Sequence, residues 1–358
     1  MNSLACWKTK QPGFRNSVAV SSNTRTAIEE LLKSFETAQR SPAEVRQLNR
    51  FITTATELVS GPSSSLDIKI ASSAIEEMSR AFTMFAPYRN VRKVSIFGSA
   101  RTTPDSPIYE LTAATAKVLS EHHFMVVTGA GPGIMEAGMV GAGRENSIGV
   151  SIRLPFETGA NSVIAGDDKY VSMRYFFTRK LMLVKESHAF LCMPGGFGTL
   201  DETFELLTLA QTAKSVPVPI VFLEVPGHPF WTPLMKAMEP LLLDHGLISA
   251  SDTSLYTITD NIDDAVNEIT EFYSNYDSIR FVDGILYIRL QRAVPSTQFT
   301  ELAERFAYLA TDGALRQTTA TPAEMTDNDL PDLPRVSLKY ASKGFADLRA
   351  LINALNQF

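Results

Sequence analysis

The stretch Ala189-Phe190-Leu191-Cys192-Met193-Pro194-Gly195-Gly196-Phe197-Gly198-Thr199-Leu200-Asp201-Glu202 changes character twice. Its apolar opening, Ala189 to Cys192, reads as a buried strand. Leu200, Phe204, Leu207 and Ala210 then fall on one face of a helix. A glycine loop therefore sits between the end of a strand and the start of a helix. Such a loop offers unpaired backbone N–H groups beside the positive end of the helix dipole, and these make an anion site. Gly195, Gly196 and Gly198 carry no Cβ to hold a phosphate away. Glu202 stands one turn into the helix. Two plainer roles compete: Thr199-x-x-Glu202 also spells a capping box, and the glycines also suit a tight turn.

Upstream, Met173 to Glu186 is predicted to be helical, with Met173, Phe176, Phe177, Leu181 and Val184 in one apolar stripe. Lys180 falls inside that stripe and Arg179 at its edge. A lysine there either snorkels its stem along the apolar face or, with Arg179, points inward at an anion.

Working outward, Val94-Ser95-Ile96-Phe97 reads as a strand followed by the loop Gly98-Ser99-Ala100-Arg101. A helix is predicted through Ile108, Leu111, Thr115 and Val118. Phe124 to Val127 is the next strand, and Gly129-Ala130-Gly131-Pro132-Gly133 the next glycine loop, opening a helix over 134–144. Ile148 to Ile152, Pro219 to Leu223 and Leu255 to Ile258 are further strands, with helices from Trp231 to Met238 and Ile262 to Phe272. Alternating strands and helices predict an α/β fold, a doubly wound parallel (Rossmann-like) sheet. Ligands of such sheets bind at the carboxyl ends of the strands. The loops 98–101, 129–133 and 195–198 all belong on that edge, which predicts one shared phosphate–sugar pocket.

The flanks differ. Residues 1–25 are expected to be a flexible tail. Residues 26–90 form a helical extension, with Ile28, Leu31, Leu32 and Phe35 on a first helix, a second after Ser41-Pro42, a linker at Gly61 to Ser65, and a third carrying Ala71, Ile75, Met78, Phe82 and Phe85. The nucleotide-binding core spans 91–275. Residues 276–358 are a small α+β appendage. There Asp283-Gly284 marks a hairpin, Leu302, Phe306 and Leu309 a helix, residues 311–333 a polar loop, Val336 to Leu338 a strand, and Phe345 to Leu355 a final helix.

The formal charge of −6 argues against a nucleic-acid or membrane-surface partner. Cys6 and Cys192 stand far apart with no zinc spacing, which suits a reducing, cytoplasmic setting. No apolar run approaches the ~18 residues of a membrane span. The second glycine loop is not G-x-G-x-x-G, because Ile134 stands where the last glycine would be, and no P-loop occurs. A nicotinamide oxidoreductase is thereby disfavoured, and nothing singles out Lys180 or Lys185 as a pyridoxal lysine.

Arg179-Lys180 followed by Pro194-Gly195-Gly196-Phe197-Gly198-Thr199-Leu200-Asp201-Glu202 resembles the signature of the LOG family, the cytokinin riboside 5′-monophosphate phosphoribohydrolases often mislabelled lysine decarboxylases. Phe176-Phe177-Thr178 before the pair is similar to the longer bacterial members, which include nucleotide 5′-monophosphate nucleosidases. Phe97 to Arg101, Thr128 to Ala137 and Gly149 to Glu157 resemble further family blocks, so the likeness covers about residues 90–275. One departure is Ala130, where the family has glycine; an added methyl there asks for little room.

The resemblance implies hydrolysis of the N-glycosidic bond of a nucleoside 5′-monophosphate, without metal or cofactor, in a homodimer or larger homo-oligomer. It assigns catalysis to Glu202 and Arg179, and substrate contacts to Lys180, to Gly195, Gly196, Phe197, Gly198, Thr199, Leu200 and Asp201, and to Thr208. Gly98, Ser99 and Gly131 join them from the other loops. The chemistry agrees: a glycine cradle for phosphate, a carboxylate near the sugar carbon, and a cation to hold substrate and assist the leaving base. The alternative is a carrier for a phosphate-bearing ligand such as the molybdenum cofactor, in which the loops bind and Glu202 only caps.

Overall fold

The computed structural model describes residues 42–153, 159–341, 344 and 346–358, with a few single positions between 26 and 34. The expected tail, Ile28, Leu32 and Phe35 of the first expected helix, the 154–157 end of the third family block, and Phe345 lie outside the described residues. The chain divides into two compact units, residues 1–76 and 77–358.

In the first unit, α1 spans Pro42–Ser60 and α2 starts at Ser65, continuing to Phe85 in the second unit. Only a short turn separates them. Ser64 caps α2: its backbone N–H donates to Asp67 Oδ2 at 2.8 Å, and Asp67 N–H donates back to Ser64 Oγ at 3.2 Å.

In the second unit the elements run β1 (Lys93–Phe97), α3 (Pro107–Glu121), β2 (Met125–Thr128), α4 (Ile134–Ala142), β3 (Ser147–Ile152), β4 (Tyr170–Met173), α5 (Phe176–Lys185), β5 (Ala189–Cys192), α6 (Phe197–Gln211), β6 (Ile220–Leu223), α7 (Trp231–Asp244), β7 (Thr257–Thr259) and α8 (Ile262–Glu271). The strands form a seven-stranded sheet in the order β4-β3-β2-β1-β5-β6-β7, every pair parallel. β1, β2, β5 and β6 are buried throughout, as strands covered by helices on both faces must be. The chain travels outward from β1 to β4, then returns to lay β5 on the other side of β1. That reversal is the topological switch point, where the loops after neighbouring strands part to leave a crevice.

Three expectations are corrected here. Met173 does not belong to a helix. Tyr170–Met173 is a strand that pairs with β3, Ile152 opposite Met173, and the helix starts only at Phe176. Nor is the expected stripe on α5 buried: Phe176, Phe177 and Leu181 are about half exposed, while Thr178, Arg179, Met182 and Leu183 face inward. On α3 the buried face is Tyr109, Thr112, Thr115, Ala116 and Leu119, which shares only Thr115 with the expected one.

The C-terminal part adds β8 (Tyr276–Val282), β9 (Ile285–Leu290), α9 (Ser296–Arg305), β10 (Ala310–Thr318), α10 (Pro322–Asp327), β11 (Arg335–Tyr340) and α11 (Ala346–Leu355). An antiparallel sheet in the order β10-β11-β9-β8 results. Asp283 and Gly284 both take positive φ at the β8–β9 turn, as a tight two-residue hairpin demands. The segment 311–333 is not a loop. It holds most of β10 and all of α10, and its polar composition reflects an edge strand with mostly solvent-facing side chains. No helix among the described residues is long and apolar enough to cross a membrane.

Candidate active site

The loops after β1, β2 and β5 meet at the switch point. They line a cleft of about 300 Å³ with Gly98, Ser99 and Arg101, then Gly129 and Gly131, then Gly196, Gly198 and Thr199. Ser151 and Ile152 close it from β3. The loops are tied together: Ile134 N–H, at the start of α4, donates to the Ser99 carbonyl at 3.0 Å.

Helix α6 begins at Phe197, with Gly196 as N-cap and no side chain capping it. The first intrahelical bond is Leu200 N–H to Gly196 O at 3.0 Å. The earlier N–H groups have no intrahelical acceptor and stand at the cleft. The capping box is therefore not formed. The helix starts too early in sequence for Thr199 to be its cap, and Thr199 instead lies buried beneath Gly195. A Cβ on Gly195 would sit 2.2 Å from Thr199 Oγ1 and 3.1 Å from Ser99 N, whereas one on Gly196 or Gly198 would meet nothing within 4 Å. Gly195 is thus demanded by packing between two loops, while Gly196 and Gly198 leave open space.

Glu202 is free of capping duty and takes another partner. Arg179 Nη1 lies 2.9 Å from Glu202 Oε1, with side chains only 9% and 15% exposed. Arg179 Nε donates to the Val150 carbonyl at 3.1 Å, which fixes the guanidinium on the end of β3. Burial pushes the Glu202 carboxyl above its usual range, and the positive charges of Arg179 and Lys180 oppose that rise. Glu202 is thus a carboxylate whose proton affinity is tuned upward beside a fixed cation, as expected of an acid–base group.

Lys180 lines the cleft and is paired there with carboxylates. Its Nζ lies 2.6 Å from Asp201 Oδ2 and 2.8 Å from Glu205 Oε2 on α6. Burial alone would lower its pKa, but those two carboxylates outweigh burial and raise it. It is a locked, neutralised cation that staples α5 to α6. Arg101, exposed and lining the cleft, has no acidic partner among the described residues. Phe197 is almost fully exposed and does not line the cleft. Gly195 and Leu200 do not line it either. Thr208 lies further along α6, its hydroxyl donating to the Phe204 carbonyl at 2.8 Å, away from the cleft.

Ala130 departs from expectation in kind. The position has φ of 57°, so the constraint on its side chain is backbone geometry and not room. Arg101, Gly129 and the Val150 carbonyl were not singled out from sequence as site residues. Arg101 carried a signal, being a cation in a glycine loop. Val150 carried none, since a strand carbonyl is invisible in sequence.

A larger groove of about 1090 Å³ lies on the far side of Lys180, between α5, α6 and β8. It is mostly apolar, lined by Phe177, Leu181, Val216 and Phe281 among others. The smaller cleft is the candidate active site, because the glycine loops and the buried acid–cation pair converge there.

Residues 132–269 match the family model described as "Possible lysine decarboxylase". A protein of Oryza sativa subsp. japonica described as a probable cytokinin riboside 5′-monophosphate phosphoribohydrolase is 27% identical over 187 residues, which are 51% of this chain and 77% of that protein. A Mycobacterium tuberculosis protein described as a cytokinin riboside 5′-monophosphate phosphoribohydrolase is 31% identical over 99 residues, 28% of this chain and 51% of that one. Several other relatives of this description are likewise matched over about half their length. Among solved structures, the molybdenum cofactor carrier protein of Chlamydomonas reinhardtii aligns with TM-score 0.33 at 19% identity, over 49% of this chain and 94% of that one. The α/β core of this chain, with its Arg179–Glu202 pair beside the three glycine loops, is thus similar in sequence to the LOG family of cytokinin riboside 5′-monophosphate phosphoribohydrolases.

Proposed function

We propose that the chain hydrolyses the N-glycosidic bond of nucleoside 5′-monophosphates, giving free base and ribose 5-phosphate. The observation that carries this reading is the buried Arg179–Glu202 pair at the mouth of an uncapped helix and glycine loop. The 5′-phosphate sits on the N–H groups of the 196–199 turn and of the Gly98–Ser99 loop, with Arg101 as its cation. Glu202 takes a proton from water as the water oxygen bonds to the sugar C1′. The C1′–N bond breaks, its electron pair leaves with the base, and the base ends with the proton that Glu202 drew from water, which returns Glu202 to its carboxylate. Arg179 holds the reacting sugar and eases charge on the departing base. Relatives described as phosphoribohydrolases support this class of reaction.

The working unit is a homodimer or larger homo-oligomer, running in the cytoplasm. Support for assembly comes from Phe176, Phe177 and Leu181, an apolar face left about half exposed. Light scattering of the wild type and of Leu181→Glu tests it, with a monomeric wild type as the contrary result.

The deciding assay incubates the protein with AMP, GMP, CMP, UMP, IMP and isopentenyladenosine monophosphate and follows free base by chromatography, with Glu202→Ala alongside. Release from the prenylated nucleotide alone assigns cytokinin activation. Release from several assigns general nucleotide hydrolysis. No release, with phosphate ligands still bound, favours a carrier.

A further inference from the structure

The helix that carries Arg179 has no cap of its own. Its N-cap residue is Tyr175, its first turn contains no acidic residue, and no side chain of that turn caps it. Such an end leaves backbone N–H groups that must find acceptors when buried. The acceptor comes from far away in sequence. Glu77, in the second half of α2, is buried at 4% exposure. Its Oε1 accepts from Arg174 N–H at 2.8 Å, 97 residues on. Its Oε2 accepts from Tyr175 N–H at 3.4 Å and lies 2.8 Å from the buried Thr178 hydroxyl. A carboxylate is thus lodged at the positive end of α5, accepting from the two N–H groups that lead into the helix and complementing its dipole.

We infer that Glu77 is a positioning residue for the active site, holding the first turn of α5 so that Arg179 meets Glu202. Thr178, which Glu77 grips, is the immediate neighbour of Arg179. Arg179 N–H closes the first turn on the Tyr175 carbonyl at 3.2 Å. The phosphate loops do not rest on this contact, because they follow β1, β2 and β5. Loss of Glu77 should therefore disturb the Arg179–Glu202 geometry while leaving phosphate recognition in place. The inference rests on the nucleotide hydrolase reading for its kinetic test, though not for its structural one.

The test compares full-length wild type, Glu77→Ala, Glu77→Gln, Thr178→Val and Ala81→Gly with the nucleotide the wild type cleaves. Ala81 is buried one turn further along α2, so Ala81→Gly weakens the same helix without touching the cap. Glu77→Ala is expected to lower kcat by about tenfold or more, since small misplacements of catalytic groups are costly, with KM changed less than about threefold. Thr178→Val should follow it part of the way. Glu77→Gln keeps an acceptor for Arg174 N–H and can donate its amide to the Thr178 oxygen, so it should rescue most of kcat. An equal kcat loss in Ala81→Gly, no rescue by Gln, or a Glu77→Ala enzyme with wild-type kcat would each overturn the inference. Amide hydrogen exchange across 174–185, read without substrate, decides independently. Glu77→Ala must exchange faster there than Ala81→Gly. If the wild type releases no base, the proposed function fails, and the exchange comparison still stands or falls alone.

Discussion

Gly129 makes room for Arg179. A Cβ built on Gly129 would lie 2.2 Å from Arg179 Nη2 and 2.6 Å from Met135 Sδ. The second glycine loop therefore shelters the Arg179 guanidinium as well as turning the chain. Both atoms in the way are ends of flexible side chains, so the protein can yield without unfolding, but Arg179 then leaves Glu202. Gly129→Ala is expected to fold with a melting temperature within a few degrees of wild type and to lose about a hundredfold in kcat. Thermal melts beside steady-state kinetics check it, and wild-type turnover would refute the placement of Arg179.

In the proposed reaction, Glu202 is expected to set the acid limb of activity. Its pKa lies above the ordinary value of 4.5 because burial disfavours the carboxylate, with Asp201 adding to the rise and Arg179 and Lys180 opposing it. A general base works only when deprotonated, so kcat/KM should climb as pH rises through this elevated pKa. Removing the cation in Arg179→Ala leaves burial less opposed and should move the limb to still higher pH. Glu202→Gln should lose about 10²- to 10⁴-fold in rate, the usual worth of acid–base catalysis, and lose the limb. A pH–rate profile of the three proteins settles the sign.

Neighbouring glycines in the 195–198 loop should respond differently. At Gly195 a methyl group collides with Thr199 and approaches Ser99 N. Gly195→Ala should therefore pry the β1 and β5 loops apart, lowering stability and affinity together. At Gly196 the methyl meets no protein atom and instead enters space at the cleft. Gly196→Ala should melt as wild type while raising KM. Equal behaviour of the two variants in denaturation and in ribose 5-phosphate binding would contradict this division.

In the appendage, Glu324 is fully buried between Arg289 and Arg335, with Arg289 Nη2 at 2.7 Å and Arg335 Nε at 3.2 Å. Burial alone would raise its pKa, but hydrogen bonds from Thr321, Arg289 and Arg335 prevail and hold it at about 2. A depressed carboxylate pKa adds stability above its ordinary value of 4.5, and that stability drains away as pH falls toward about 2. Glu324→Ala also removes the carboxylate shared by two buried guanidinium groups, leaving Arg289 to Asp329 and Arg335 to backbone carbonyls, so the loss should stay below the about 3–5 kcal/mol of a fully unpaired buried charge. Urea denaturation at pH 7 and pH 3 should show a large gap between wild type and variant at the higher pH and a smaller one at the lower.

Local sequence was enough for the α/β class, the three glycine loops and the choice of Arg179 and Glu202 as candidates, which the fold brings together at one cleft. Continuous apolar strands and strand–glycine–helix junctions are short-range patterns, and short-range patterns survive being read in one dimension. The Asp283-Gly284 hairpin was legible for the same reason, since two positive φ angles need those residue types. Composition misled where burial is one-sided: β10 hid behind the polar residues of an edge strand, and the apolar stripe of α5 lies half exposed.

Tertiary structure alone decided the partners. Thr199-x-x-Glu202 permits a capping box, but the α6 start at Phe197 removes it and releases Glu202 to Arg179. Lys180 reads from sequence as an anion ligand, and only the fold shows that Asp201 and Glu205 pair with it. Gly129 yields its Cβ space to a side chain from helix α5, and Glu77 accepts from the N–H of Arg174, 97 residues downstream, at that helix's start. Each of these depends on the switch point and the packing of α2 and α5, which bring together groups that no local spacing relates. A sequence states which donors, acceptors and charges exist, whereas the fold determines which of them can satisfy one another once water is excluded.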